Sequence, residues 1–243
     1  MIAGRAAAVV TGAGNGLGAF IARRLAADGY AVSILDTDVA AGTQVAAEVD
    51  GRFVECDVAD PDAVREAAER VGPAAVLVNN AGVTTIASVL DSTDEDLRRL
   101  VEVNLLGTVF CCRAFAPAMI AQGSGSIVNI SSGAAAGATP GYCIYPSTKS
   151  AVETLTRQLA MEWGPRGIRV NAVGPGAIET ERNGHRFSGD RLSSRVLSIP
   201  LRRTGVPQDI AGAISALCSE DLSYVTGQVL YVDGGLSAGA PGI

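Results

Sequence analysis

The sequence predicts an α/β protein in which one doubly wound parallel sheet carries helices on both faces. Short apolar runs rich in β-branched residues alternate with longer stretches of helical period, which is the order of repeated strand–helix units. Residues 75–78 are apolar at every position, a pattern typical of parallel strands that helices cover on both sides. No linker-like segment divides the 243 residues, so residues 1–243 are expected to form a single domain.

Seven strands are expected, and they alternate with helices along the chain. They cover residues 6–11, 31–35, 52–56, 75–78, 126–130, 168–173 and 228–232. After the first strand Leu17, Ile21 and Leu25 recur every fourth residue, so an amphipathic helix is expected there. Similar apolar stripes occupy residues 97–105 and 152–163. The segment at about 179–205 resists assignment, because it is polar, glycine-containing and rich in arginine.

Charge and cysteine content exclude several classes of function. A net charge of −6 and a pI near 4.9 argue against the clustered basic face that nucleic acid requires. The five cysteines include no Cys-x-x-Cys pair, so neither a disulfide framework nor a metal site is expected. Residues 1–10 lack the length and the cleavage pattern of a signal peptide, and a cytoplasmic location is therefore expected.

The longest uncharged segment, residues 114–148, does not predict a membrane span. Three prolines and polar residues such as Gln122 and Asn129 interrupt it well short of the ~18 consecutive apolar residues that a spanning helix needs. The segment ends at Lys149, the single lysine among the 19 side chains of lysine and arginine.

A glycine-rich turn follows the first strand and opens the first helix, with the sequence Thr-Gly-Ala-Gly-Asn-Gly-Leu-Gly over residues 11–18. Glycines permit a tight turn and a close backbone approach, and the helix N-terminus offers N–H groups and a positive dipole to a pyrophosphate. A purely structural turn can carry the same glycines, but the place between strand and helix favours dinucleotide binding. The predicted contacts are Gly12, Asn15, Gly16, Leu17 and Gly18.

Asp36, at the end of the second strand, indicates which dinucleotide is bound. An acidic side chain at this place accepts hydrogen bonds from the adenosine ribose hydroxyls and repels a 2′-phosphate. No arginine stands at residues 15 or 37, so NAD is favoured over NADP. The alternative is that Asp36 only begins a turn. Further cofactor contacts are expected after the next two strands, although each residue also suits an ordinary turn: Asp57, Val58, Asn80, Ala81 and Gly82.

Tyr145 and Lys149 lie four residues apart, so on a helix their side chains share one face. A tyrosine with a pKa of about 10 is a poor base at neutral pH, and a nearby ammonium favours the phenolate, so the two side chains make an acid/base pair. A surface helical pair is the alternative. Arginine fills 18 of the 19 basic positions. Because a guanidinium does not reproduce a compact ammonium on a flexible stem, the exception at Lys149 indicates that this position requires lysine.

Ser132 and Asn104 complete the predicted reaction site. Ser132 follows the fifth strand, where its hydroxyl could hold a substrate oxygen beside the phenol, and a plain strand-ending turn is the alternative. Asn104 lies within the apolar stripe of residues 97–105, where a buried amide must find hydrogen-bond partners. Either a functional hydrogen bond or a satisfied structural amide would explain it.

Taken together, these motifs resemble the short-chain dehydrogenase/reductase family over essentially the whole chain. The matching elements are residues 11–18, Asn-Asn-Ala-Gly at 79–82, Asn104, Ser132, Tyr-x-x-x-Lys at 145–149, Pro175-Gly176 with Ile178 and Thr180, and Val-Asp-Gly-Gly at 232–235. The resemblance implies a Rossmann fold of seven parallel strands. It also implies a homotetramer, or a homodimer, assembled through long helices around 97–120 and 145–163.

The resemblance assigns a role to each matching residue. Tyr145 would exchange a proton with the substrate oxygen, and Lys149 would bind the nicotinamide-ribose hydroxyls and lower the pKa of the tyrosine. Ser132 would orient the substrate, and Asn104 would hold a water that relays protons. The contacts on the nicotinamide side would be Pro175, Gly176, Ile178 and Thr180.

The implied activity is an NAD-dependent interconversion of a small-molecule secondary alcohol and its ketone. The pattern also looks like 3-oxoacyl-(carrier protein or CoA) reductases, which mostly use NADPH, a preference that Asp36 opposes. An anionic substrate or a solvated surface would explain the arginines of the unassigned segment, which are Arg182, Arg186, Arg191 and Arg195. A non-catalytic NAD-sensing protein is a third alternative, and the intact Ser132, Tyr145 and Lys149 oppose it.

The near-absence of lysine generates a first prediction. Lys149→Arg keeps the positive charge but not the compact ammonium, so we expect it to lose most of its activity at neutral pH while remaining folded. Steady-state turnover and circular dichroism of the two proteins measure this. Near-normal turnover of the arginine variant would show that charge alone is sufficient.

Overall fold

A computed structural model describes residues 5–137, 140–180 and 196–239. Within these ranges seven strands form one parallel sheet in the order β3-β2-β1-β4-β5-β6-β7. The strands are β1 (Ala7–Thr11), β2 (Ala31–Asp36), β3 (Arg52–Glu55), β4 (Val76–Asn79), β5 (Gly125–Ile130), β6 (Ile168–Pro175) and β7 (Val229–Val232). The predicted α/β fold is confirmed, and the bounds of each strand differ from the expected ones by at most two residues.

The helices cover both faces of the sheet. In the described residues they are α1 (Gly16–Ala27), α2 (Val39–Glu48), α3 (Pro61–Val71), α4 (Asp94–Val101), α5 (Gly107–Gln122), α6 (Tyr145–Trp163) and α7 (Pro207–Cys218). Alternate residues of β1 serve the two faces, as the pleat of a strand requires. Ala8 and Val10 pack into a core with α1, α2 and α7, and Val9 packs into a second core with α3, α5 and α6.

A π-helical turn, Glu102–Leu106, joins α4 to α5 and interrupts the long helix expected around 97–120. Here the Gly107 N–H donates to the Glu102 carbonyl, five residues earlier, so one extra residue is accommodated. A Cβ on Gly107 would lie 2.8 Å from Val58 Cγ2, so the helix passes unusually close to the loop after β3. Apolar spacing did not reveal this turn, because spacing does not report which carbonyl each N–H binds.

Among the described residues, one helix is long and apolar enough to span a membrane by length and composition. It is the continuous α4–α5 unit, Asp94–Gln122, whose most apolar stretch has a mean hydropathy of 1.5 and is half buried inside the fold. Cys111, Phe115 and Met119 pack into the core from this unit, so it is a core helix. The uncharged residues 114–148 begin in α5, continue through β5 and end in α6, and therefore do not form one helix.

The order of the strands places the functional edge of the sheet. β1 pairs with β2 on one side and with β4 on the other. Successive strands are therefore added toward one edge of the sheet up to β3 and toward the other edge from β4 onward, although all of them are parallel. Ligands of open parallel sheets bind in the crevice at the carboxyl ends of the strands beside such a reversal. The glycine-rich turn after β1 and the Asn-Asn-Ala-Gly segment after β4 meet at this crevice.

Candidate active site

The carboxyl ends of the strands open into a cleft with two compartments. The first has a volume of about 640 Å³ and the second about 380 Å³. Leu17, Asn80 and Gly82 line both compartments, so the two are parts of one continuous cleft.

The cleft brings together nearly all of the residues predicted from sequence. The first compartment is lined by Gly12, Asn15, Gly16, Leu17, Gly18, Asp36, Asp57, Val58, Asn80, Ala81, Gly82 and Thr180. The second is lined by Ser132, Tyr145, Lys149, Pro175, Gly176, Ile178 and Thr180. Asn104 is the one predicted residue that lies behind the walls.

The glycine-rich turn is held against the end of β4. Gly12 has a φ of +61°, and a Cβ there would lie 2.7 Å from Ala81 Cα. A Cβ on Gly18 would lie 2.2 Å from the Gly12 carbonyl oxygen, so neither position has room for a side chain. The Asn80 side-chain amide donates to the carbonyls of Thr11 and Gly12, at 2.9 Å each. Asn80 therefore supports the shape of the turn as well as lining the cleft.

Asp36 both begins a turn and faces the cleft, so the turn is confirmed and the ribose contact stays a prediction. One carboxylate oxygen accepts from the Gly14 N–H at 2.7 Å, and the other accepts from the Asp38 N–H at 3.0 Å. These bonds fix the orientation of the carboxylate at the wall of the first compartment. A negative charge is thereby held beside the glycine-rich turn.

Arg99 and Tyr142 are among the cleft residues that sequence reasoning missed. Arg99 lines the first compartment and its guanidinium contacts the Asp57 carboxylate at 3.2 Å. These two residues lie on different elements, so no spacing in the sequence connects them. Tyr142 lines the second compartment, with its ring centroid 6.3 Å from that of Tyr145. The only indication in the sequence was that Tyr142 lies three residues before Tyr145 and so could line the same site.

Tyr145 begins α6, and Pro146 falls in the first turn, where its missing N–H does not disturb the helix. Burial raises the pKa of Tyr145, and a hydrogen bond with the Ser132 hydroxyl opposes part of the rise. The lowered pKa that the resemblance implies is therefore not seen in this structure. A phenol in this setting keeps its proton at neutral pH.

Lys149 is only 4% exposed, and its ammonium donates to the Ile130 carbonyl at 2.8 Å. The Nζ atom lies 5.9 Å from the centroid of the Tyr145 ring. Burial lowers the pKa of Lys149 to about 8, because the charged form loses its hydration. The chain thus retains a cation here at an electrostatic cost.

Asn104 is fully buried and its side-chain amide is satisfied by neighbouring groups. Its oxygen accepts from the Val83 N–H at 2.9 Å, and its nitrogen donates to the Val83 carbonyl at 3.0 Å and to Thr148 Oγ1 at 3.2 Å. A Cβ on Gly82 would lie 3.2 Å from Asn104 Oδ1 and 3.4 Å from Lys149 Nζ. The amide therefore ties the π-turn to the loop after β4 and to α6, immediately behind the lysine.

Comparison with known proteins identifies the family. A family model described as Enoyl-(Acyl carrier protein) reductase matches residues 12–237. Galactitol 2-dehydrogenase (L-tagatose-forming) of Cereibacter sphaeroides is 40% identical over 240 residues, which cover 95% of this chain and 94% of that protein. A solved structure described as a short chain dehydrogenase/reductase family protein has a TM-score of 0.91 and 42% identity, covering 96% of this chain and 98% of that one. The chain belongs to the short-chain dehydrogenase/reductase family.

Other relatives of this short-chain dehydrogenase/reductase differ in substrate. L-2,3-butanediol dehydrogenase of Corynebacterium glutamicum is 38% identical, and 3-oxoacyl-[acyl-carrier-protein] reductase FabG of Staphylococcus aureus is 36% identical; each match covers 94% of this chain and 97% of the relative. The structure of a gluconate 5-dehydrogenase from Burkholderia cenocepacia J2315 in complex with NADP and tartrate has a TM-score of 0.91 at 35% identity, covering 98% and 96%. The protein is therefore an oxidoreductase acting on alcohol and ketone groups.

The burial of Lys149 generates a prediction about stability. A fall in pKa from 10.5 to about 8 corresponds to about 3 kcal/mol of destabilisation at neutral pH. Lys149→Met removes this cost. It also leaves the Ile130 carbonyl without its hydrogen bond, and the loss destabilises the variant by about 1 kcal/mol. The inactive variant should therefore be about 1–3 kcal/mol more stable than the parent protein at pH 7.

The dependence on pH has a defined sign. Between pH 8 and 10.5 Lys149 is protonated in the unfolded chain but not in the folded chain. The free energy of unfolding of the parent protein therefore increases as the pH rises through this window. The advantage of Lys149→Met should shrink over the same window. Urea unfolding of both proteins at pH 7 and pH 10 measures the difference. A variant that is less stable at pH 7, or an advantage independent of pH, would contradict the assigned cost.

Proposed function

We propose that this short-chain dehydrogenase/reductase uses NAD to interconvert a small secondary alcohol and its ketone. The observation that carries the proposal is the continuity of the cleft. Ser132, Tyr145 and Lys149 line a compartment that opens directly into the one formed by the glycine-rich turn and Asp36. An acid/base group and a coenzyme would therefore share one continuous cleft.

The residues of the first compartment fit a dinucleotide. The turn at Gly12 and Gly18 leaves room only for backbone, and α1 has no acidic side chain in its first turn to repel a pyrophosphate. The N-terminus of α1 would hold the pyrophosphate, Asp36 the adenosine ribose, and Pro175 with Gly176 the nicotinamide side. When bound, NAD⁺ would accept the hydride from an alcohol, and NADH would donate it to a ketone.

The setting of Asp36 supports NAD over NADP. Its carboxylate is held by the N–H groups of Gly14 and Asp38, so it is not free to turn away from a 2′-phosphate. Arg99, the basic side chain lining this compartment, is paired with Asp57. The charge that would meet a 2′-phosphate beside the glycine-rich turn is therefore negative.

Proton transfer is assigned to Tyr145. Its phenol, kept protonated by burial, would donate to the oxygen of a ketone, and the phenolate would take the proton back from an alcohol. The Ser132 hydroxyl, which lines the same compartment and lowers the pKa of the phenol, would hold the same substrate oxygen in line with the proton. The same substrate oxygen would thus contact Tyr145, which donates the proton, and Ser132, which holds the oxygen in position.

Lys149 would stabilise the charge that develops on Tyr145. An ammonium has three N–H donors, and the bond to the Ile130 carbonyl uses one of them. The nicotinamide-ribose hydroxyls would take another, as the family pattern implies. Because the cation lies 5.9 Å from the Tyr145 ring in a buried setting, its attraction for a phenolate is weakly screened by water.

A 3-oxoacyl thioester reductase is the second candidate, and the match to the carrier-protein reductase of Staphylococcus aureus favours it. The four arginines that could serve an anionic carrier lie outside the described residues. Turnover of 2,3-butanedione, L-tagatose and acetoacetyl-CoA with NADH separates the two candidates. Failure of the whole panel despite measurable NADH binding would favour the NAD-sensing alternative.

We further propose that the protein assembles as a homotetramer or a homodimer. Two exposed apolar side chains support this. Leu106, at the end of the π-turn before α5, is 38% exposed, and Met161 on α6 is 80% exposed. Light scattering coupled to size exclusion measures the mass in solution.

The role of Tyr145 yields a further prediction. Tyr145→Phe removes the hydroxyl that is proposed to transfer the proton, so kcat should fall at least about a thousandfold while NADH still binds. Ser132→Ala should lower kcat by about 10- to 100-fold. Stopped-flow turnover measures kcat of both variants, and titration followed by NADH fluorescence measures coenzyme binding. Substantial turnover by the phenylalanine variant would refute the assignment.

The role of Asp36 yields a prediction about coenzyme choice. The protein should have a kcat/KM for NADH at least about tenfold above that for NADPH. Asp36→Asn removes the charge and keeps an oxygen for the Gly14 N–H but not for the Asp38 N–H, so it should lower that ratio by about tenfold with a small fall in melting temperature. Turnover with NADPH that matches or exceeds turnover with NADH in the parent protein would overturn the proposal.

A further inference from the structure

A buried carboxylate lies behind the reaction site and has no part in the mechanism above. Glu153 is 8% exposed and lies on α6, one turn after Lys149 and two turns after Tyr145. Residues spaced in this way share one face of a helix. Glu153 does not line either compartment of the cleft. Its position on the catalytic face, away from the reacting groups, calls for a separate explanation.

A hydroxyl group just after β5 and another on β7 converge on Glu153. One carboxylate oxygen, Oε1, accepts from Ser131 Oγ at 2.7 Å and from the Tyr231 phenol at 2.8 Å. Both bonds are short, and a buried carboxylate depends on such donors because it has lost its water. Glu153 therefore joins the end of β5 to β7 through α6.

The first of these contacts leads to the substrate-orienting serine. Ser131 directly precedes Ser132, and its N–H donates to the Val173 carbonyl at 2.8 Å. Its hydroxyl also lies 3.4 Å from the Lys149 carbonyl oxygen. Ser131 is thus held by β6, by α6 and by Glu153, and the position of Ser132 follows from these three attachments.

The second contact leads to the backbone expected on the nicotinamide side. Tyr231 is paired with Gly174 across β6 and β7, and a Cβ on Gly174 would lie 2.5 Å from Tyr231 Cδ1. The ring therefore packs directly on the backbone that leads into Pro175 and Gly176. A hydrogen bond that fixes the phenol of Tyr231 also fixes the ring against this segment.

We propose that Glu153 is a positioning residue that sets Ser132, and the segment leading to Pro175, relative to Tyr145. It acts through Ser131 and Tyr231 and does not touch the reacting atoms. The inference rests on the proposed function, because it assigns Glu153 to the placement of that catalytic serine. The property that matters is a buried hydrogen-bond acceptor with two donors, and an amide can supply the same geometry.

The experiment compares variants of the full-length chain. Glu153→Gln keeps an oxygen acceptor of the same reach, whereas Glu153→Leu removes it, and Tyr231→Phe removes one donor while keeping the ring. Thr156→Val is the matched control, because Thr156 is fully buried on the same helix and bonds Asn129 and the Val152 carbonyl instead of Ser131. Each variant is made alone and together with Ser132→Ala.

The readout is steady-state kcat and KM with NADH and whichever of 2,3-butanedione, L-tagatose and acetoacetyl-CoA the enzyme reduces fastest. Glu153→Leu should lower kcat by about 10- to 100-fold, and Glu153→Gln should stay within about threefold of the parent protein. In the Ser132→Ala background the effect of Glu153→Leu on kcat should be at least about threefold smaller than in the parent protein, because the path through Ser131 to Ser132 is gone while the path through Tyr231 remains. Thr156→Val should lower the melting temperature without changing kcat by more than about twofold in either background.

Full additivity of Glu153→Leu and Ser132→Ala would overturn the inference, and so would a glutamine variant as impaired as the leucine variant. If Glu153→Leu does not fold, Ser131→Ala, which removes the donor beside Ser132, gives the decisive comparison in the same cycle. The proposed function fails separately. It fails if no ketone of the panel is reduced, or if Ser132→Ala alone keeps full kcat, whatever Glu153 does.

Discussion

All seven strands run in the same direction, and the site depends on this constraint. A parallel sheet gathers the carboxyl end of every strand at one edge, so the turns after β1, β2, β4, β5 and β6 are brought together although they are far apart in the chain. The reversal between β1 and β4 opens the crevice between them. The glycine-rich turn then closes against Ala81 and Asn80, because only backbone fits between the two loops.

The buried ammonium of Lys149 is the electrostatic centre of this edge. Its nearest hydrogen-bond partner among the described groups is a backbone carbonyl, that of Ile130, and not a carboxylate. A neutral dipole compensates the loss of hydration only in part, and the pKa falls to about 8 for that reason. The cost is concentrated where a positive charge is useful, which is how a functional site differs from a core built only for stability.

The structure bears on three sequence-based interpretations, those of Asp36, Asn104 and Tyr145. Asp36 was weighed as a turn former or a ribose ligand, and its carboxylate does make the turn while facing the cleft. Asn104 was weighed as a functional or a structural amide, and its side chain is saturated by Val83 and Thr148. Burial raises the pKa of Tyr145 in this structure, and the lowering by Lys149 that the resemblance implies stays a prediction.

The sequence by itself determined the fold class, the strand positions to within two residues, and many of the residues that line the two compartments. These follow from local periodicity and from motifs whose members lie close together in the chain, such as residues 11–18 and 145–149. Only the tertiary structure decided the π-turn at Glu102–Leu106, the pairing of Arg99 with Asp57, and the meeting of Ser131 and Tyr231 at Glu153. The physical reason is that hydrogen bonds, desolvation and close packing between distant segments depend on distances in space, and residue spacing along one chain does not encode them.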